Sequence, residues 1–299
     1  MESCVVTVNT LVTIVAYFRF FVSPLLFLLG FSANVMTFYL FFTNKPLTRY
    51  NLYPMALSIF ESVVLILNAL IDDFLGRGLR YFTNGKVNIK LDAVSTAACQ
   101  FFEFAELWNG FIAAYIMLAF GIDRVLSISL PHKFHRDLLI NETLIVYMAI
   151  MIVGAALSAP VAANFGIKYD EHDTIKPWHP QARSLNKTVI CTFTTHNGSR
   201  FYTKVYVSVI SFLIPTFLLV LINCILIGQI AKFLRRRRKI LAVKVNRTQT
   251  QSVSIDQSES RTEMKRVFTY LLISFITFAF TLPFTVTICI RAGYTAATP

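Results

Sequence analysis

Charge is what this sequence has least of. Asp, Glu, Lys and Arg make up 15% of its 299 residues, against 55% hydrophobic. A soluble domain of that length would expose far more charge. Histidine is scarce as well. His132, His135, His172, His179 and His196 all fall outside the apolar runs, and they form no recognisable metal set. There is no His-Glu-x-x-His, no Gly-x-Ser-x-Gly, no phosphate-binding loop and no Cys-x-x-Cys, so no enzyme signature is present. The first 18 residues contain no Lys or Arg, which argues against a secretory leader with a basic start. The first apolar run is expected to act as its own insertion signal. No repeat relates the two halves, which argues against a six-span transporter built from internal repeats.

What remains is a chain of long apolar runs. Six of them, at 20–42, 52–71, 97–122, 144–163, 205–230 and 267–290, are long enough to cross a bilayer as helices. The fold class expected is therefore all-α, a single transmembrane helical domain over 1–299. Four runs carry no charged residue, the second holds Glu61, and the third holds Glu103 and Glu106. Pro24, Pro160, Pro215 and Pro283 lie inside runs, where neighbouring helices can satisfy the carbonyls that proline frees.

The net charge of +12 would suggest a nucleic-acid partner in a soluble protein. Here the cations sit in short loops beside the apolar runs, so they report topology, and no nucleic acid is expected. The first, third and fifth loops are rich in Lys and Arg, with eleven between Lys232 and Arg266 alone. Cation-rich loops are cytoplasmic, which puts the N-terminus outside and makes the expected location the plasma membrane. The fifth loop, 235–263, is expected to be flexible. Its Arg235–Lys239 run extends the fifth span towards anionic headgroups or a protein partner, and the polar stretch at 248–260 reads as disordered.

The motifs and their order resemble the rhodopsin-like G-protein-coupled receptors. Gly121-Ile122-Asp123-Arg124-Val125 ends the third run much as the family's Asp/Glu-Arg-Tyr does, with Val125 in place of Tyr. Gly30-Phe31-Ser32-Ala33-Asn34 is similar to the first-helix Gly-x-x-x-Asn. Leu57-Ser58-Ile59-Phe60-Glu61 is similar to Leu-Ala-x-x-Asp with Glu for Asp, and Pro215 and Pro283 match the prolines that kink the activation helices. Thr281 stands where the family usually has Trp, and Asn223 where it often has Tyr. The run ending at 290 is followed by nine residues and no Asn-Pro-x-x-Tyr, so the resemblance covers about six of the family's seven helices.

That resemblance carries several implications. Asp123 and Arg124 would dock a heterotrimeric G protein. Cys99 and Cys191 would form a disulfide tying the fourth loop to the third helix, with two free thiols as the alternative. Asn34, Glu61 and Asn109 would form a polar core or hold a sodium ion, although Ala113 stands where a Ser ligand is common. The alternative there is a protonated Glu61 bonded to Asn34.

Glu103 and Glu106 are three apart on one helix face, and Glu106 is eighteen before Arg124, where amine receptors carry their ligand-gripping Asp. A carboxylate there would bind an amine, or an Arg or Lys of a peptide. An internal pair with Arg291 is the alternative. The long fourth loop suits a small peptide, and hence a neuropeptide receptor, better than an amine. Asn186 and Asn197 begin outward-facing glycosylation sequons. Cys224 is expected to be a packing residue. A truncated, non-signalling receptor is also compatible with the sequence.

Overall fold

A computed structural model describes residues 13–43, 48–87, 89–129, 140–170, 188–194, 209–211 and 213–244. Five helices within these ranges are long and apolar enough to cross a membrane: α1 (Thr13–Thr43), α2 (Arg49–Phe82), α3 (Thr96–Ser129), α4 (Ile140–Ala162) and α5 (Ile214–Lys244). In lipid no water is available to bond a bare backbone, so an apolar run of this length must close its own hydrogen bonds as a helix. The long apolar side chains point outward. Leu29, Ile145 and Phe217 are 70%, 67% and 66% exposed, a distribution that suits hydrocarbon and would aggregate in water.

The first two helices run beyond their apolar cores. The first was expected from residue 20 and is already helical at Thr13, the first described residue; the second was expected to end at 71 and continues to Phe82. The hydropathy signal fades where Asp72, Asp73, Arg77 and Arg80 enter, but the helix continues because those charges find partners. The sixth run, 267–290, lies outside the described residues. The expected flexible loop from 235 is helical as far as Lys244.

Two stretches of α1 and α2 depart from α geometry. Phe18–Val22 and Leu65–Gly78 are π-helical, with each N–H reaching five residues back. α1 and α2 pack closely through this region. A Cβ on Gly78 would sit 3.0 Å from the Phe20 nitrogen and 3.1 Å from the Arg19 carbonyl, so only glycine allows the two backbones this approach. Around the contact, Phe20 stacks on Phe82 with centroids 4.2 Å apart and meets Phe74 at 5.7 Å.

The chain divides into two compact units, Met1–Ala113 with Leu144–Tyr202, and Ala114–Thr143 with Thr203–Pro299. The first contains α1, α2, the N-terminal half of α3, most of α4, and a feature the hydropathy pattern did not announce. This is an antiparallel hairpin, β1 (Phe165–Asp170) and β2 (Thr188–Phe193), in register from Phe165↔Phe193 to Asp170↔Thr188. The second unit contains the C-terminal half of α3 and α5.

Candidate functional site

In the first unit, the N-terminal end of α3 is bolted to the hairpin. Cys99, fully buried, is disulfide-bonded to Cys191 of β2, with 5.5 Å between their Cα atoms. One residue on, the Gln100 amide donates to the Phe165 carbonyl at 3.2 Å. Thr194 closes the hairpin by donating its N–H to the Asn164 carbonyl at 2.9 Å. The Phe165 and Phe193 rings pair across the strands, 4.1 Å between centroids. The covalent link expected between Cys99 and Cys191 is therefore present, and the alternative of two free thiols is set aside.

The two carboxylates of α3 follow within two turns of Cys99 in the same helix. Glu103 Oε1 is 4.0 Å from Cys191 Sγ. A disulfide sulfur has no proton to donate, so this is a packing contact. Glu106 is exposed, and its partner comes from α2. The Asn68 amide, with its nitrogen turned to the carboxylate, donates to Oε1 at 3.0 Å and to Oε2 at 3.2 Å. The reverse orientation would set oxygen against oxygen. Sequence reasoning did not assign Asn68 to this site, since nothing local ties a residue of the second run to one of the third.

Among the described residues, the nearby cations Arg77 and Arg19 are already engaged. Arg77 Nη2 lies 2.9 Å from Asp72, and Arg19 Nε lies 3.1 Å from Asp73. Asp72 and Arg77 are five apart, a spacing that does not pair on an α-helix. Both fall in the π-helical stretch, whose hydrogen bonds close five residues apart and whose wider turn brings residues five apart nearer to one face. The wide register therefore creates the ion pair. Among the described residues no cation forms a salt bridge with Glu103 or Glu106. Arg291, the partner considered from sequence, lies outside the described residues.

The polar trio is less assembled. Asn109 is buried, and its amide donates to the Ala105 carbonyl of its own helix at 2.7 Å. Asn34 is half-buried and Glu61 exposed. No hydrogen bond joins Asn34, Glu61 and Asn109 to one another among the described residues, so the bond considered between Asn34 and Glu61 is not formed. The amide of Asn109 is turned to backbone, and Ala113 has no hydroxyl to offer. The trio as arranged does not fit a cation cage.

In the second unit, Asp123 and Arg124 form an ion pair at the C-terminal end of α3, with side chains 8% and 5% exposed. Arg124 also lies over the Phe120 ring, 5.6 Å from its centroid. The pair is well shielded, and a guanidinium held against a carboxylate and an aromatic face has a fixed place. Nearby, Gln229 of α5 donates to Ser129 Oγ at 2.6 Å. Pro215 sits in the first turn of α5, immediately after a π-helical turn, and is buried. Cys224, expected to pack inside, is exposed and free on α5. Pro283, Asn186 and Asn197 lie outside the described residues.

The family profile described as 7 transmembrane receptor (rhodopsin family) matches residues 33–298. No curated protein matches the chain.

Proposed function

Because the chain belongs to the rhodopsin family of seven-transmembrane receptors, a multi-pass membrane receptor and not an enzyme, we propose that it senses a small cationic peptide outside the cell and signals to a heterotrimeric G protein inside. The observation that carries the ligand class is the state of Glu106. This carboxylate is exposed, fixed by a neutral amide at 3.0 and 3.2 Å, and paired with no described cation. A carboxylate at membrane depth is costly and is a functional-site hypothesis by default. Oriented and unneutralised, it presents two acceptor oxygens to an incoming ammonium or guanidinium.

Glu103, one turn away against the disulfide, is the second carboxylate on that face. A peptide with an Arg or Lys side chain engages one or both, and the hairpin of β1 and β2 supplies edge backbone for the rest of it. A small amine is the second reading, favoured by the position of Glu106 eighteen residues before Arg124. Arg124 is the residue assigned to G-protein coupling, with Asp123 holding it in place until binding shifts the receptor between its two states. The orientation follows from the cation-rich loops: N-terminus outside, plasma membrane as the site of action.

The test uses the purified receptor and a panel of amidated Arg- and Lys-containing peptides, acidic peptides and simple amines. Cationic members should raise the thermal unfolding midpoint, and acidic members should not. Stabilisation by acidic or neutral members alone would sink the assignment.

A further inference from the structure

Asn68 of α2 and Glu106 of α3 belong to the same compact unit. The Asn68 nitrogen lies 3.0 Å from one Glu106 oxygen and 3.2 Å from the other. Near-equal distances put it in the mouth of the carboxylate, between the two oxygens. A carboxylate has about four lone-pair directions. Two converge on the mouth, and two point outward, one from each oxygen. The amide takes the converging pair. What remains for an incoming cation is the outward pair, whose members point away from each other.

The two kinds of cation on a peptide use a carboxylate differently. A guanidinium is a planar fork, and its strength on a carboxylate comes from two parallel N–H···O bonds, one to each oxygen. That geometry needs the mouth. An ammonium is a compact point charge with rotatable donors, and one outward lone pair is enough for it. The chain's own guanidiniums are arranged accordingly. Among the described residues, Arg77 and Arg19 pair with Asp72 and Asp73, and none pairs with Glu106.

We propose that Asn68 is a specificity-determining residue, which fills the mouth of Glu106 and so makes the site select an ammonium over a guanidinium. The cation taken is then a Lys side chain, a peptide amino terminus or a simple amine, and not an Arg side chain. This inference rests on Glu106 being the carboxylate that meets the ligand, and it narrows the ligand's cation to one class.

The probes are butylammonium and butylguanidinium, the ends of Lys and Arg side chains without a peptide. Each is titrated against the intact chain in lipid nanodiscs. The apparent dissociation constant is read from the rise in unfolding midpoint with concentration. The wild type should bind butylammonium more tightly. Asn68→Ala opens the mouth, and the ratio of the two constants should move towards butylguanidinium by about tenfold, as for one more bond to a charged group. A residue that only supported packing would change both constants in parallel and leave their ratio alone. If Asn68→Ala does not fold, Asn68→Ser decides. Its hydroxyl stays polar but is one bond shorter than the amide, so it predicts the same change of ratio.

Glu106→Gln should weaken both probes. Unchanged constants in that variant, or no stabilisation of the wild type by either probe, would show that Glu106 is not the ligand's carboxylate, and the selectivity falls with that assignment. Weakening of both probes in Glu106→Gln, with the same ratio in wild type and Asn68 variants, overturns the selectivity alone. A wild type that prefers butylguanidinium overturns it too.

Discussion

Replacing Glu106 with Gln separates a ligand-binding carboxylate from a structural one, because the two roles predict different magnitudes on different axes. The substitution keeps shape and an acceptor oxygen and removes the charge. Its structural consequence is confined to the Asn68 contact, two hydrogen bonds of 3.0 and 3.2 Å to the two carboxylate oxygens. In soluble proteins a bond to a charged group contributes about 1.5–3 kcal/mol, and a neutral one about 0.5–1.5. Between membrane helices the average is nearer 0.6 kcal/mol, with about 1.7 as the upper end, because a chain unfolded in lipid also finds polar partners. The membrane values govern here, so Glu106→Gln should cost less than about 1 kcal/mol, a fall in unfolding midpoint of at most about 4 °C.

Had Glu106 been half of a buried ion pair, its neutralisation would strand the other charge at a cost of about 3–5 kcal/mol. Binding should show the opposite scale. Loss of a desolvated charge pair with a ligand costs about 2 kcal/mol or more, which is at least tenfold in affinity. The assay is thermal unfolding of wild type and variant, alone and with the most stabilising peptide of the cationic panel. A large fall in the midpoint without peptide, together with unchanged peptide affinity, would refute the reasoning and point to an internal ion pair.

Three further outcomes are expected. Arg124→Ala should abolish stimulated nucleotide exchange on a G protein while leaving protein measurable at the cell surface, at reduced yield because Asp123 is then a buried carboxylate without its cation; intact exchange would contradict the coupling role. Peptide mapping without reductant should recover the Cys99 and Cys191 segments joined, and Cys191→Ser should lower stability by about 2–5 kcal/mol, as for loss of a native disulfide; recovery of both free thiols would contradict it. Gly154→Ala in α4 should lower stability by about 1–3 kcal/mol through overpacking, because its Cβ would lie 2.8 Å from Phe111 Cδ1 and 3.2 Å from Trp108 Cδ1; an unchanged unfolding midpoint would show that the two rings move aside freely.

The sequence by itself determined the class of this protein. An apolar run of about 20 residues has one stable backbone in lipid, so spans could be located from composition alone. The family followed from motifs short enough to read locally: Asp123-Arg124, Asn34, Glu61, Pro215, and the cysteines at 99 and 191. Glu103 and Glu106 stood out because three residues apart means one face of any α-helix.

Tertiary structure decided the partners, and it did so where local rules stop. Nothing within five residues of Glu106 indicates that its acceptor atoms meet Asn68, since that contact depends on how α2 and α3 pack. The Asp72–Arg77 pair lies in a stretch that switches from α to π register, a change of period that hydropathy averaged over a window does not report. The hairpin of β1 and β2 was unreadable as structure because two six-residue strands in a polar loop form only when a disulfide and Gln100 hold them against α3. The hydrogen bond from the Tyr115 hydroxyl to the Ile210 carbonyl joins residues 95 apart in the sequence, which only the fold brings together.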